Sequence, residues 1–107
     1  MALAKEIYLL ADQLPSEEKF GLISQIRRCA ISIPSNIAEG AGRNNVKEFY
    51  QFLGIASGSC YELETQIILL LDLNFINEEQ ITPLLTNLNE IQKMIYKFKT
   101  NLMNVRS

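Results

Sequence analysis

Apolar residues recur at intervals of three and four along four successive segments of the chain, and that spacing leaves little choice of fold. The first segment carries Leu3, Ile7, Leu10 and Leu14, and the second Ile23, Ile26, Ala30, Ile33, Ile37 and Gly40. The third carries Phe49, Leu53, Ala56, Cys60, Leu63, Ile67 and Leu70, and the fourth Ile81, Leu84, Leu88, Ile91, Ile95, Phe98 and Leu102. Residues so spaced share one face of an α-helix, whereas a half-buried strand would alternate every second residue, and no segment does. In 107 residues the connections between such helices are short, so neighbours run antiparallel. The expected architecture is all-α: one domain over residues 1–107, an up-down-up-down four-helix bundle.

Polar residues mark the helix ends. Pro15 is expected to stop the first helix and Ser16 to cap the second. Asn45 followed by Glu48, and Asn77 followed by Gln80, have the spacing of capping boxes that open the third and fourth helices.

The stretch IPSNIAEGAGR, residues 33–43, tests this scheme. Pro34 has no N–H to offer the carbonyl of Ala30, and its ring crowds that carbonyl, at a cost of about 3 kcal/mol in a helix interior. The apolar phase is nevertheless kept on both sides, which a loop would not preserve. The expectation is a second helix that continues through Pro34 with a kink, Ser32 or Ser35 bonding freed carbonyls near the bend. Gly40 and Gly42 then end the helix, with Gly42 taking the left-handed conformation of a C-terminal cap. As a phosphate loop the stretch lacks both a preceding strand and a third glycine.

If the second and third helices turn near residues 44–45, facing residue numbers sum to about 89. Cys29 then lies level with Cys60, and Arg27 and Arg28 with Tyr61 and Glu62, with Glu64 one turn away. Arg27 or Arg28 is expected to pair with Glu62 or Glu64, and Glu39 with Arg43 four residues on. Glu62 and Glu64 point about 200° apart on one helix and do not converge as a catalytic carboxylate pair. Both cysteines have apolar neighbours and read as buried thiols.

The chain has no histidine, which removes the commonest general base and metal ligand. Its two cysteines make neither a CxxC nor a zinc spacing. The sequence therefore predicts no enzyme, no catalytic or metal site, no cofactor and no small-molecule substrate. The longest large-apolar run, IILLL at 67–71, is too short to span a bilayer, so the expected location is the cytoplasm, away from membranes. Net charge is −2, but the distribution is uneven. Residues 27–47 carry four basic side chains against one acid, 48–90 carry seven acids and no base, and 91–107 carry four bases and no acid.

The run at 67–71 covers every direction around its helix, more than a bundle stripe of roughly 100° requires. Earlier in the same helix stand Gly54, Ala56, Ser57, Gly58 and Ser59, small residues that let another backbone approach. Together they predict a second contact surface and a homo-oligomer.

SQIRRCAISIPSNIAEGAGR followed by KEFYQFLGIASGSCYELETQ resembles the bacterial four-helix-bundle proteins encoded in intervening sequences of 23S rRNA genes. The likeness spans about residues 18–75. It rests on Arg27, Arg28, Pro34, Asn36, Glu39, Gly40, Arg43, Glu48, Phe49, Leu53, Glu62 and Glu64, which fall where the family pattern has them. The resemblance implies a kinked second helix and a ring-shaped homopentamer. It implies no assigned catalysis, although the family carries a ribosomal-protein label. A related branch serves diversity-generating retroelements as a basic accessory protein that binds nucleic acid and a reverse transcriptase. This acidic chain departs from that branch, and it lacks the Trp-bearing start of the wider family, so its first helix should be short.

Two functional readings follow. One is a non-enzymatic oligomeric scaffold that binds a protein partner. The other is a ribosome- or retroelement-associated accessory that binds RNA or DNA through Arg27, Arg28, Arg43, Lys47, Lys93, Lys97 and Lys99, with Arg106 beyond them.

Overall fold

The computed structural model describes residues 2–14 and 21–106. Pro15, Ser16 and the Arg106 side chain lie outside the described set. The chain forms helices α1 (Ala2–Asp12), α2 (Leu22–Ala41), α3 (Val46–Asp72) and α4 (Glu78–Arg106). Among the described residues backbone contacts run α1–α2, α2–α3, α3–α4 and α4–α1, with no diagonal pair, so the helices stand at the corners of a four-sided bundle.

Side-chain contacts fix the directions. Asp12, at the end of α1, meets Arg27 early in α2; Gly40, late in α2, meets Phe52 early in α3; Phe49, early in α3, meets Phe98 late in α4; and Leu10, late in α1, lines one cleft with Gln80 early in α4. In each adjacent pair the late part of one helix faces the early part of the other, which is the antiparallel order that short connections impose.

The apolar stripes point inward. Leu3, Ile7, Ile26, Ile33, Leu53, Cys60, Leu63, Ile67, Leu70 and Leu88 are buried in one continuous core. The burial is uneven along the bundle. Ile37, Phe49, Ile91 and Leu102 are only partly buried, and Phe98 is exposed, although all five continue the stripes. All five lie at the end of the bundle where, among the described residues, α2, α3 and α4 extend past the first residues of α1.

The helix ends bear out most of the capping scheme. Asn45 accepts the Glu48 N–H at 2.9 Å, and Asn77 and Gln80 bond reciprocally at 2.9 and 3.0 Å. α2 runs helically on both sides of Pro34, so the phase argument against a loop holds. The Ser32 hydroxyl is engaged by Ser59 at 2.8 Å and by the Asn36 amide at 2.9 Å. Asn36 also donates to the Ser32 carbonyl at 2.8 Å, so Asn36 serves a backbone acceptor near the proline.

The left-handed cap expected at Gly42 is not there. Gly42 has φ −78°, and Asn44, with φ 54°, makes the reversal. The helix closes through the Gly42 N–H to the Ala38 carbonyl and the Arg43 N–H to the Gly40 carbonyl. The chain then turns two residues later, at an asparagine that tolerates that region better than other residues with a Cβ. Gly40 does not end the helix either. It is buried inside α2, where a Cβ would sit 2.7 Å from the Phe52 Cβ and 2.9 Å from the Phe49 ring. Its missing side chain sets how closely α3 approaches.

Candidate functional site

The α2–α3 seam gathers the polar residues that the sequence singles out. Ser32, Asn36 and Ser59 form a half-buried hydrogen-bond chain across it. Facing numbers there sum to 91, close to the register anticipated from the turn. A sum of 89 sets Ser57 opposite Ser32, so the pairing with Ser59 depends on a shift of two residues that the turn alone does not reveal.

The charge pairing follows that expectation in part. Glu39 pairs with Arg43 at 2.7 Å along α2, and the Arg43 guanidinium also lies over the Phe52 ring, 5.2 Å from its centroid. Arg27, however, turns away from Glu62 and Glu64. It pairs with Asp12 at 2.7 Å and lies over the Tyr8 ring at 5.4 Å. Asp12 is the last residue of α1, where a cation also offsets the negative end of the helix dipole. Arg28 bonds the Gln25 side chain one turn earlier on its own helix. Neither arginine makes an ion pair with Glu62 or Glu64 among the described residues. The partner of Arg27 stands on α1, which a register between the second and third helices does not include.

Glu62 and Glu64 act on the two thiols instead. Cys29 and Cys60 are free and buried. Burial pushes the Cys29 thiol up to about 11, reinforced by hydrogen bonding with Glu62 and by its charge. Burial and the charge of Glu64 push Cys60 up to about 11 as well. Such thiols stay protonated and are poor nucleophiles at neutral pH.

The seven candidate nucleic-acid contacts do not form one patch. Arg43 and Lys47 flank the α2–α3 turn. Lys99 sits over the Tyr50 ring at 4.8 Å, which places it at the same end of the bundle. Lys97 is exposed two residues before it, and Lys93 a further turn back. Arg27 and Arg28 lie about 24 Å along α2 from Arg43, at 1.5 Å per residue.

Two surface features stand out beyond these. Ile55, Tyr61, Ile68, Leu69 and Leu73 are exposed along α3, and Gly58 among them has open space above it. On the other side of the molecule an apolar cavity of about 500 Å³ opens past the start of α1, over Ile37, Leu53, Ile91 and Ile95. Among the described residues no three His, Cys, Asp or Glu stand close enough to hold a metal ion, and no helix is long and apolar enough to cross a membrane.

A small antiparallel four-helix bundle with a proline carried inside its second helix is the class these features define. The family model of the 23S rRNA-intervening sequence protein matches residues 1–97, and the chain belongs to that family. No curated protein matches the chain.

Proposed function

We propose that the protein is a non-enzymatic, homo-oligomeric scaffold of the bacterial cytoplasm, without cofactor or small-molecule substrate, that presents a helical surface to a protein partner. The observation that carries this reading is the exposed apolar row on α3. Leu69 is 42% and Ile55 53% exposed, although α3 already buries a complete stripe in the core. Large aliphatic side chains left on a second face, beside a glycine with no neighbour, suit the approach of another helix. The family resemblance favours a ring of five copies with a kink at Pro34. Light scattering on the purified chain tests it. A mass several times 12.2 kDa is expected, falling toward the monomer in Leu69→Glu. A wild-type monomer at micromolar concentration overturns the reading.

A second reading, an RNA- or DNA-binding accessory, draws support from Arg43, Lys47, Lys97 and Lys99 at one end of the bundle. A ring would repeat that end and concentrate its charge. Labelled structured RNA titrated at ~50 and ~200 mM salt separates the two, because phosphate contacts weaken steeply over that range. Binding that collapses at the higher salt favours the accessory; no binding at either salt removes it.

A further inference from the structure

We propose that Arg28 of one copy and Glu62 of another form an ion pair across the outer face of α2 and α3, so that a second copy of this chain is what covers the apolar row on α3. This rests on the scaffold reading and deepens it by naming the charges that decide which surfaces of two copies meet.

Both charges stand at one level of one face. The bond between Ser32 and Ser59 sets α2 against α3 at a sum of 91, and residues 28 and 62 sum to 90. Both side chains are exposed. Glu62 bonds the Cys29 thiol, whose chain neighbour is Arg28, so the two charges border the same buried group. Among the described residues they nevertheless form no ion pair with each other. The Arg28 guanidinium is turned to the Gln25 side chain, one turn back on its own helix. A carboxylate has more acceptor sites than one thiol fills, and a guanidinium more donors than one amide oxygen takes up. Each charge therefore keeps capacity for a partner from outside the chain.

The apolar row requires such a partner. Ile55, Gly58, Glu62 and Leu69 follow one another at three, four and seven residues and share one face of α3. A surface that covers Ile55 and Leu69 also covers Glu62 between them. Taking a carboxylate out of water without a counter-charge is costly, so the covering surface has to bring a cation to that level. This chain carries one there. Arg28 is exposed on α2, and Ile31, three residues on, is an exposed apolar neighbour for it. Copies related by an axis along the bundle keep their levels, and so do copies related by a two-fold axis that crosses the bundle at this level. In either arrangement Arg28 of one copy comes level with Glu62 of the other. The chain thus holds the complement of its own face. Gly58, one turn from Glu62 with open space above it, admits the close approach.

The test is charge reversal in the full chain, read by light scattering and native mass spectrometry. Arg28→Glu and Glu62→Arg each set like charges against each other in the contact. Each alone is expected to raise the dissociation constant of the oligomer at least about tenfold. Helical circular dichroism should be unchanged, since both positions are exposed. An equimolar mixture of the two variants should associate again, because opposite charges then meet between unlike chains, and native mass spectrometry should show species that contain both. A pair formed within one chain would be restored only by combining the two substitutions in the same chain, and that result overturns the proposal. So do single variants that associate like the wild type, or a mixture no better associated than its components. In each of these cases an oligomeric wild type leaves the scaffold reading standing. A monomeric wild type removes the scaffold reading itself, so the two failures are distinguishable.

Discussion

Gly40 of α2 faces Phe52 of α3 so closely that a Cβ on the glycine would lie 2.7 Å from the Phe52 Cβ. That atom is fixed to the backbone of α3 and cannot swing aside as a side-chain tip would. The Phe49 Cα, 3.4 Å away, is equally fixed. Gly40→Ala gains up to about 1 kcal/mol of helix propensity. It must also separate two packed helices, and overpacking of this kind costs about 1–3 kcal/mol. A net loss is expected, read as a lower urea midpoint. Gly42→Ala is the control. There a Cβ would meet only the Ala38 and Glu39 carbonyl oxygens, at 3.6 and 3.7 Å, and φ is −78°. That substitution should be neutral or stabilising by up to about 1 kcal/mol. Equal losses at both positions would remove the close-approach explanation.

The turn between α2 and α3 carries a second contrast. Asn44 has φ 54°, and Asn45 caps α3 through the Glu48 N–H. Asn44→Gly should be tolerated or mildly stabilising. Asn44→Val forces a β-branched residue into the left-handed region and should cost on the order of 1–2 kcal/mol. Asn45→Ala removes the cap and should cost about 1 kcal/mol. Chemical denaturation of the three variants checks the order, and an Asn44→Val protein as stable as the parent would refute it.

Where apolar periodicity alone decides, the fold was legible. The stripe residues from Leu3 to Ile95 are buried or partly buried, and the Asn77–Gln80 box forms as the spacing implies. Three things were not legible, for different reasons. Glycine is the commonest left-handed cap and so points to Gly42, but the helix carries on through Gly42 and tightens at the Arg43 N–H, so the reversal falls on Asn44. The partner of Arg27 lies on α1, so no α2–α3 register could find Asp12. The third is the uneven burial of the stripes: periodicity shows that Phe98 and Leu102 belong to one, but not how much of it the neighbouring helices cover.

The two thiols predict an alkaline limit to stability. Each is raised from 9.0 to about 11 in the folded protein. A raised pKa means that folding favours the protonated form. Its contribution is complete below pH 9 and is lost as pH rises toward 11, because the unfolded chain releases its thiol protons first. For buried groups this is on the order of 2 kcal/mol per thiol. The urea midpoint should be level from pH 7 to 8 and fall between about pH 9 and 10. The double variant Cys29→Ala, Cys60→Ala should be less stable at pH 8, from lost packing, yet show a shallower fall. An identical fall in both proteins would assign the alkaline loss to other groups.

The hydrogen bond between Ser32 and Ser59 joins α2 to α3, and Asn36 completes it by donating to Ser32 at both its hydroxyl and its carbonyl. Partly buried hydroxyls in such a seam are worth little as a pair but are costly to orphan. Ser32→Ala alone removes the partner of Ser59 and one bond of Asn36, and about 1–2 kcal/mol should be lost. Ser59→Ala leaves Ser32 still bonded to Asn36 and should cost less. The double variant should be less destabilised than the sum, with a coupling of about 0.5–1.5 kcal/mol. Asn36→Ala should cost at least as much as Ser59→Ala, since it also strips a donor from a carbonyl in the proline-bearing turn, where Pro34 already withholds an N–H. A strictly additive cycle would show the serine hydroxyls to be independently solvated, and the seam would then rest on the close approach at Gly40 and the apolar core alone.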